Sequence, residues 1–303
     1  MAVTGATGFI GAHLLTHLRG EGYGIRAMTR SPRASGNGIS WIDGDLAGGR
    51  GVDELVRGAD TVVHCAGAVR GAHPRDFDAI NVDGTRRIAE AAAAAGVKRL
   101  LLLSSLAARE PSLSMYASSK RRGEDAVRSV DIASTVFRPP AVYGPGDNEL
   151  APLFGLMLRG IAVVPGHAGR TSLLYVTDLA RAVGAWLRAP SHRGGECFEL
   201  DDGTPQGYDW TEMIRIAQTV RGAAIRRLDI PQPLLDAIGR VNLGLGRAFH
   251  RAPMLTPGKV RELFHRDWVC RTQQIRSALA WQPEVQFAEG LKRTFADPSH
   301  GAE

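Results

Sequence analysis

Two residues of this chain stand at a spacing that can move a proton. Tyr116 and Lys120, in the run Ser114-Met115-Tyr116-Ala117-Ser118-Ser119-Lys120, are four apart, so on a helix they share one face, one turn from each other. A free tyrosine titrates near 10 and is a poor acid or base at neutral pH, whereas a neighbouring ammonium favours the phenolate and is expected to lower that value. Such a pair can exchange a proton with a substrate oxygen while hydride moves on a nicotinamide. A second group suits phosphate. In Thr4-Gly5-Ala6-Thr7-Gly8-Phe9-Ile10-Gly11 the glycines permit a tight turn and a close backbone approach. The helix that follows, with Ile10, Leu14, Leu15 and Leu18 on one face, presents unpaired N–H groups to a pyrophosphate. Gly5, Thr7, Gly8, Phe9, Ile10 and Gly11 are therefore expected to border a dinucleotide.

These residues need a scaffold, and the apolar pattern supplies one. Short apolar runs alternate with helix-period segments: Ala2-Val3, Phe9 to Arg19, Gly24 to Thr29, Asp60 to Ala66, Asn81 to Ala95, Arg99 to Ser104, Tyr116 to Val130 and Ala133 to Arg138. Repeated β-α-β of this kind predicts an α/β fold, a Rossmann-type doubly wound parallel sheet with helices on both faces. Leu100 to Leu103 shows no alternation, which suits a central strand buried on both sides. Beyond Arg138-Pro139-Pro140 the chain turns to Gly/Pro-punctuated pieces with helical stretches at Leu150 to Arg159, Asp178 to Leu187 and Trp210 to Thr219. We expect a dinucleotide-binding domain over residues 1–145. Residues 146–303 would hold the remaining sheet strands and a smaller C-terminal substrate-binding lobe.

Where the cofactor's adenosine end should lie, the strand Ile25 to Arg30 ends in Arg30, with Ser31 and Arg33 behind it and no carboxylate in the run. An acid there would hold the ribose hydroxyls of NAD, while an arginine accommodates the extra phosphate of NADP. NADP is thus the expected cofactor and NAD the second choice.

Composition removes several alternatives. The net charge is +6, but the 33 arginines are dispersed and form no run, so the excess reads as solvated surface and not as a nucleic-acid footprint. Cys65, Cys197 and Cys270 are odd in number and widely spaced, which suits reduced thiols in a cytoplasmic protein, and no zinc-ligand spacing or other metal site occurs. The glycine loop begins within the first five residues, which leaves no room before it for a secretory leader, and no apolar run reaches the length of an integral membrane segment. Neither a Gly-x-Ser-x-Gly elbow nor a phosphate loop ending in Gly-Lys-Ser/Thr is present, so hydrolase and NTPase chemistries are not expected.

With the glycines at 5, 8 and 11, the Tyr116/Lys120 pair, Asn81-Val82-Asp83-Gly84-Thr85, Arg138 to Pro145 and Tyr175-Val176-Thr177-Asp178-Leu179-Ala180, the chain resembles an extended or atypical short-chain dehydrogenase/reductase of the NAD(P)-dependent epimerase/dehydratase class. That resemblance implies further site residues. Asp45 and Leu46 would meet the adenine edge, and Ala66 and Gly67 would form the small-residue turn under the cofactor. Ser104 closes the central strand, Pro139 and Val142 would line the nicotinamide end, and Lys120 would also hold the nicotinamide ribose. Asn81 would be structural.

Two departures stand out. The family's catalytic Ser or Thr, counted along the central strand's end, falls on Leu106, so Ser105 is the candidate replacement. The arginine that clamps a diphosphate in nucleotide-sugar enzymes falls on Thr171, with Arg170 beside it. The expected function is an oxidoreductase of a carbonyl or secondary alcohol on a small-molecule substrate, with epimerisation through a keto intermediate as a variant and a homodimer as the expected assembly. The competing reading is a dinucleotide-binding protein with little turnover, a redox sensor or assembly factor, because the chain also resembles the accessory subunit of respiratory complex I. Trp210, His250, His265 and Trp268 are candidates for packing or surface roles in the carboxyl half.

Overall fold

The computed structural model describes residues 1–166, 169–190, 194–249 and 251–296. Seven strands make one parallel sheet: β1 (Ala2–Thr4), β2 (Ile25–Thr29), β3 (Ile39–Asp43), β4 (Thr61–His64), β5 (Arg99–Leu103), β6 (Ser134–Arg138) and β7 (Glu196–Glu199). Their order is β7-β6-β5-β4-β1-β2-β3, so the direction of winding reverses between β1 and β4. In open α/β sheets the ligand crevice lies at that switch point, outside the carboxyl ends of the strands. One row of the sheet runs Ala27, Val3, Val63, Leu101, Thr135.

The leucine run of β5 shows why the sheet is buried on both faces. Successive strand residues point to opposite sides. Leu101 and Leu103 join Val3, Val63 and Phe137 in a core beneath α1 (Phe9–Gly20), whereas Leu100 and Leu102 join Ala2, Val62 and Val136 in a second core under α2 (Thr85–Ala94). Alternation is absent from the sequence because neither face meets water. Helix α3 (Met115–Arg128) lies on the second face and α4 (Val176–Arg188) on the first, where it packs along α1.

A third core stands apart from the sheet, with Tyr143, Phe154, Tyr208 and Phe287 at its centre. Tyr143 leaves the segment Ala141–Tyr143, which pairs in parallel with Leu173–Tyr175. Two further helices, α5 (Gln232–Ala248) and α6 (Pro257–Phe264), pack on each other and belong to this half. Trp210 packs against the third core, and His265 stacks on Trp268, 4.6 Å between ring centres. His250 lies outside the described residues.

One stretch departs from the expected single helix over Asn81 to Ala95. Its first turn, Ala79–Gly84, is a π-helical turn, and regular α2 begins only at Thr85. The wider turn seats Asn81 inward. Its amide brackets Ala68, accepting from the Ala68 N–H at 2.8 Å and donating to the Ala68 carbonyl at 2.9 Å, and also donates to the Ser119 hydroxyl at 2.8 Å. Asn81 thereby fixes the turn after β4 to the helix that carries Tyr116.

Candidate active site

The glycine loop joins β1 to α1 at the switch point. Gly5 has a left-handed φ of +68°, and a Cβ there would lie 2.5 Å from the Ala66 backbone nitrogen. A Cβ on Gly11 would collide with the Gly5 carbonyl oxygen. These two glycines are demanded by the protein itself. Gly8 is different: nothing crowds its Cβ position closer than 3.4 Å, and it caps α1 with no side-chain hydrogen bond. The first N–H groups of α1 are thus left uncapped by any side chain, facing a cradle that a side chain at Gly8 would fill. This is the form a pyrophosphate site takes. The far rim of the cradle comes from the segment after β6, where His13 Nε2 lies 2.8 Å from the Pro145 carbonyl oxygen and Gly146 approaches Phe9.

The expected cofactor residues line up along this crevice. Arg30 is exposed just past β2. The register neighbour of Thr29 on β3 is Asp43, a carboxylate not foreseen beside Arg30, and it is engaged by Arg50. A cavity of about 220 Å³ lies on this side of α1, lined in part by Thr7, Arg19, Arg33 and Trp41, with the Arg33 guanidinium 5.2 Å from the Trp41 ring centre. Asp45 accepts from the Gly48 N–H, and Leu46 is buried with its carbonyl held by Arg87. Ala66 and Gly67 form the turn after β4. A Cβ on Gly67 would sit 3.4 Å from the Asn81 amide oxygen and 3.6 Å from the Lys120 nitrogen. Ser104 is buried and donates its hydroxyl to Glu124 at 2.6 Å. Pro139 accepts from the Leu106 N–H, and Val142 is half-buried on the neighbouring strand. His64, beside this turn, is fully buried between the Thr4 and Thr85 hydroxyls at 2.6 and 3.0 Å. Burial holds its pKa down to about 3, so it is a neutral structural group.

At the other end of the crevice, Ser114 caps α3 by accepting from the Ala117 N–H at 2.9 Å, which aligns Tyr116 and Lys120 on one face. Lys120 is buried and donates to the Leu103 carbonyl at 2.9 Å. Burial draws its pKa down to about 8 against the opposing pull of Cys65 and Glu124. The Tyr116 phenol departs from expectation: its pKa lies above the usual value, because burial outweighs the hydrogen bond from Ser105 and the nearby Lys259 ammonium. Lys120 does not lower it, since that ammonium is turned to the Leu103 carbonyl beneath Gly67.

Leu106 is a core residue, 2% exposed, at the start of a short 3-10 turn that Ser105 caps by accepting from the Ala107 N–H.

A second charged group, not anticipated from sequence, faces Tyr116 from the C-terminal half. On α6, Glu262 is buried, accepts from the Ser114 hydroxyl and bonds the Lys259 ammonium at 3.0 Å. Burial opposes the charge on Lys259, but Glu262 prevails and its pKa lies above the usual lysine value. Arg70, in the turn after β4, bonds Glu149 at 2.7 Å and so ties that turn to the segment following β6. Arg170 is fully occupied within its own half, by the Gln206 and Gly207 carbonyls and by Asp209 and Glu212.

A seven-stranded sheet in this order, an uncapped helix N-terminus over a glycine cradle, and a tyrosine and lysine at the same crevice define a dinucleotide-binding protein of the Rossmann type. Comparison with known proteins places it more closely. The sequence profile of the NAD dependent epimerase/dehydratase family matches residues 1–200, and the chain belongs to that family. It is similar to a ceramide reductase of Caulobacter vibrioides, 40% identical over 273 residues that cover 88% of this chain and 85% of the relative. It is also similar to the mitochondrial NADH-ubiquinone oxidoreductase 40 kDa subunit of Neurospora crassa, at 26% identity over 87% of this chain and 70% of that one. Among solved structures, MoeE5 in complex with UDP-glucuronic acid and NAD superposes with a TM-score of 0.73 at 23% identity, covering 96% of both chains, a likeness of fold. The protein is an NAD(P)-dependent oxidoreductase or epimerase of the short-chain dehydrogenase type. Among the described residues no helix is long and apolar enough to cross a membrane.

Proposed function

We propose that the protein is an NADP(H)-dependent reductase that converts a ketone on a ceramide-like lipid to a secondary alcohol. The observation that carries this reading is the placement of Tyr116 and Lys120 on one face of α3, seated by the Ser114 cap, with Lys120 anchored on the Leu103 carbonyl. A nicotinamide held in this crevice would supply hydride for the carbonyl carbon. Tyr116, kept protonated by burial, gives its proton to the carbonyl oxygen as the C=O double bond becomes a C–O single bond, and Ser105 orients that oxygen by a hydrogen bond. Lys120, seated on the Leu103 carbonyl, would hold the ribose, and solvent returns a proton to the tyrosinate that remains. Gly5, Thr7, Gly8, Phe9, Ile10 and Gly11 would hold the pyrophosphate, Arg30 the extra phosphate, and Asp45, Leu46, Ala66, Gly67, Ser104, Pro139 and Val142 the remaining length of the dinucleotide.

The substrate class rests on two supports. The ceramide reductase relative spans most of both chains. In addition, Arg170 is committed to four partners within its lobe and is not free to clamp a nucleotide-sugar diphosphate.

The test is NADPH consumption with an oxidised ceramide, its secondary alcohol replaced by a ketone, in detergent micelles. Turnover with formation of the alcohol is the expected result. No turnover of this ketone under conditions where NADPH binds would overturn the substrate assignment. Calorimetry should show NADP(H) bound more tightly than NAD(H), with Arg30→Asp reversing the order. Tighter NAD(H) binding by the unaltered chain would defeat the cofactor preference.

A further inference from the structure

Helix α5 is amphipathic in the wrong sense for a helix packed on its own protein. An ordinary surface helix turns its apolar stripe inward. Here Gly239 and Gly246, two turns apart, make the inward face: a Cβ on Gly239 would lie 3.0 Å from the Thr256 carbonyl carbon, and one on Gly246 2.8 Å from the Arg251 carbonyl oxygen. The large apolar residues point away from the protein. Leu234, Ile238, Val241 and Leu245 recur at helical spacing roughly a quarter turn round the helix from the glycines, continued by Phe249, and Val241 and Phe249 are 61% and 68% exposed. Met254, just beyond, is 45% exposed.

The charges around this face are mostly positive. From residue 232 to residue 256 the chain carries Arg240, Arg247 and Arg251 against Asp236 alone. Arg240 adjoins Val241 on the helix and Arg251 lies just past Phe249, both exposed, and such long side chains can reach to phosphate while their stems stay in apolar surroundings. A helix with an apolar face, a basic flank and moderate overall hydrophobicity is the form that lies in a membrane interface.

We propose that α5 docks the protein on the surface of an anionic lipid bilayer, with Leu234, Ile238, Val241, Leu245 and Phe249 entering the headgroup and acyl boundary and Arg240 and Arg251 meeting lipid phosphates. A second copy of the chain fits the face less well. A two-fold contact brings like surfaces together, and between residues 232 and 256 Asp236 is the one carboxylate to set against three arginines.

The helix also borders the active site. It packs on α6, which carries Lys259 and Glu262, and the Arg247 Nε donates to the Ala72 carbonyl at 3.3 Å, in the loop that follows the Ala66–Gly67 turn. A lipid leaving the bilayer at α5 would therefore meet the crevice directly. The docking goes beyond the reductase reading and stands or falls separately from it.

Flotation of the full chain with vesicles tests it, because it reads binding and not turnover. With phosphatidylcholine vesicles containing phosphatidylglycerol the protein floats, at least roughly tenfold more than with phosphatidylcholine alone, and added salt strips much of it. Val241→Asp combined with Leu245→Asp removes flotation while the melting temperature and NADP(H) affinity hold, since both side chains already face water. Arg240→Gln and Arg251→Gln each weaken binding to the anionic vesicles by about fivefold. Wild-type protein that stays at the bottom with both vesicle types overturns the proposal, as does equal flotation with neutral and anionic vesicles. A dimer in light scattering that the double aspartate variant splits, with no vesicle binding in either, also overturns it and gives the face to a second copy.

Discussion

Tyr116 is held in its acid form by its surroundings, which suits the proton donation that the proposed reduction needs. Burial raises its pKa above the ordinary tyrosine value despite the Ser105 hydrogen bond, so the phenol stays protonated across the neutral range and is ready to donate, as reduction of a carbonyl requires. Tyr116→Phe removes the proton and leaves the dinucleotide cradle alone. We expect reductase activity to fall by about 10²–10⁴-fold with NADP(H) affinity nearly unchanged, and full activity in that variant would remove Tyr116 from the mechanism. In the proposed reaction Lys120 would set the alkaline limit. Its pKa is lowered to about 8, so the ammonium is complete below that pH and is lost as pH rises through it. kcat/KM for reduction should therefore be level through neutrality and decline above about pH 8, and any activity retained by Lys120→Arg should lack that decline, because guanidinium does not titrate there. A wild-type profile level to about pH 10 would show that the charge on Lys120 is not needed.

At the scale of the element, the glycine loop separates what the fold needs from what a ligand needs. Gly11→Ala drives a methyl group into the Gly5 carbonyl oxygen and should destabilise the whole domain, by roughly 1–3 kcal/mol in urea unfolding. Gly8→Val meets only that same oxygen at 3.4 Å, and Gly8 already has an extended backbone conformation that valine accepts. The variant should therefore melt near the wild type and yet lose dinucleotide binding. Unchanged NADP(H) affinity would make the loop a structural turn only.

The same scale shows what sequence pattern can carry. The loop and the Tyr116/Lys120 pair were legible because each is written within one element, in spacings of three and four, and the sheet was legible because apolar runs and helix periods alternate along residues 2–138. Helix α5 was not. Pro231 and Pro233 at its start and its glycines at 239, 244 and 246 read as loop punctuation, although proline is at home in a helix's first turn. Its apolar period faces solvent, contrary to the assumption that such a stripe marks a core. The π-helical turn at Ala79–Gly84 was equally hidden, since its purpose, seating Asn81 against Ala68 and Ser119, depends on partners distant in sequence.

At the scale of the whole molecule, the site is completed only when the two halves meet, and that is why its substrate side could not be read in advance. Ser114 and Glu262 are 148 residues apart, yet their hydrogen bond seats α6 on the N-terminus of α3 and sets Lys259 beside Tyr116. Nothing in the local sequence around Lys259 marks it as an active-site neighbour. The seating depends on Gly258, whose absent side chain lets α6 approach: a Cβ there would stand 2.9 Å from the Ser114 Cβ and 3.2 Å from its Cα. Gly258→Val should thus wedge the halves apart where the C-terminal half bears on the start of the helix that carries Tyr116. The glycine cradle lies at the other end of the crevice, on β1 and α1, so NADP(H) affinity should stay within about twofold of wild type. Overpacking of this kind costs roughly 1–3 kcal/mol, and displacement of a positioned group by about an ångström can cost 10²-fold in rate. We therefore expect kcat/KM for the lipid ketone to fall by about 10²-fold while calorimetry with NADP(H) is unaffected. If both remain at wild-type values, α6 does not position the substrate, and Lys259 is a surface lysine that happens to lie near the phenol.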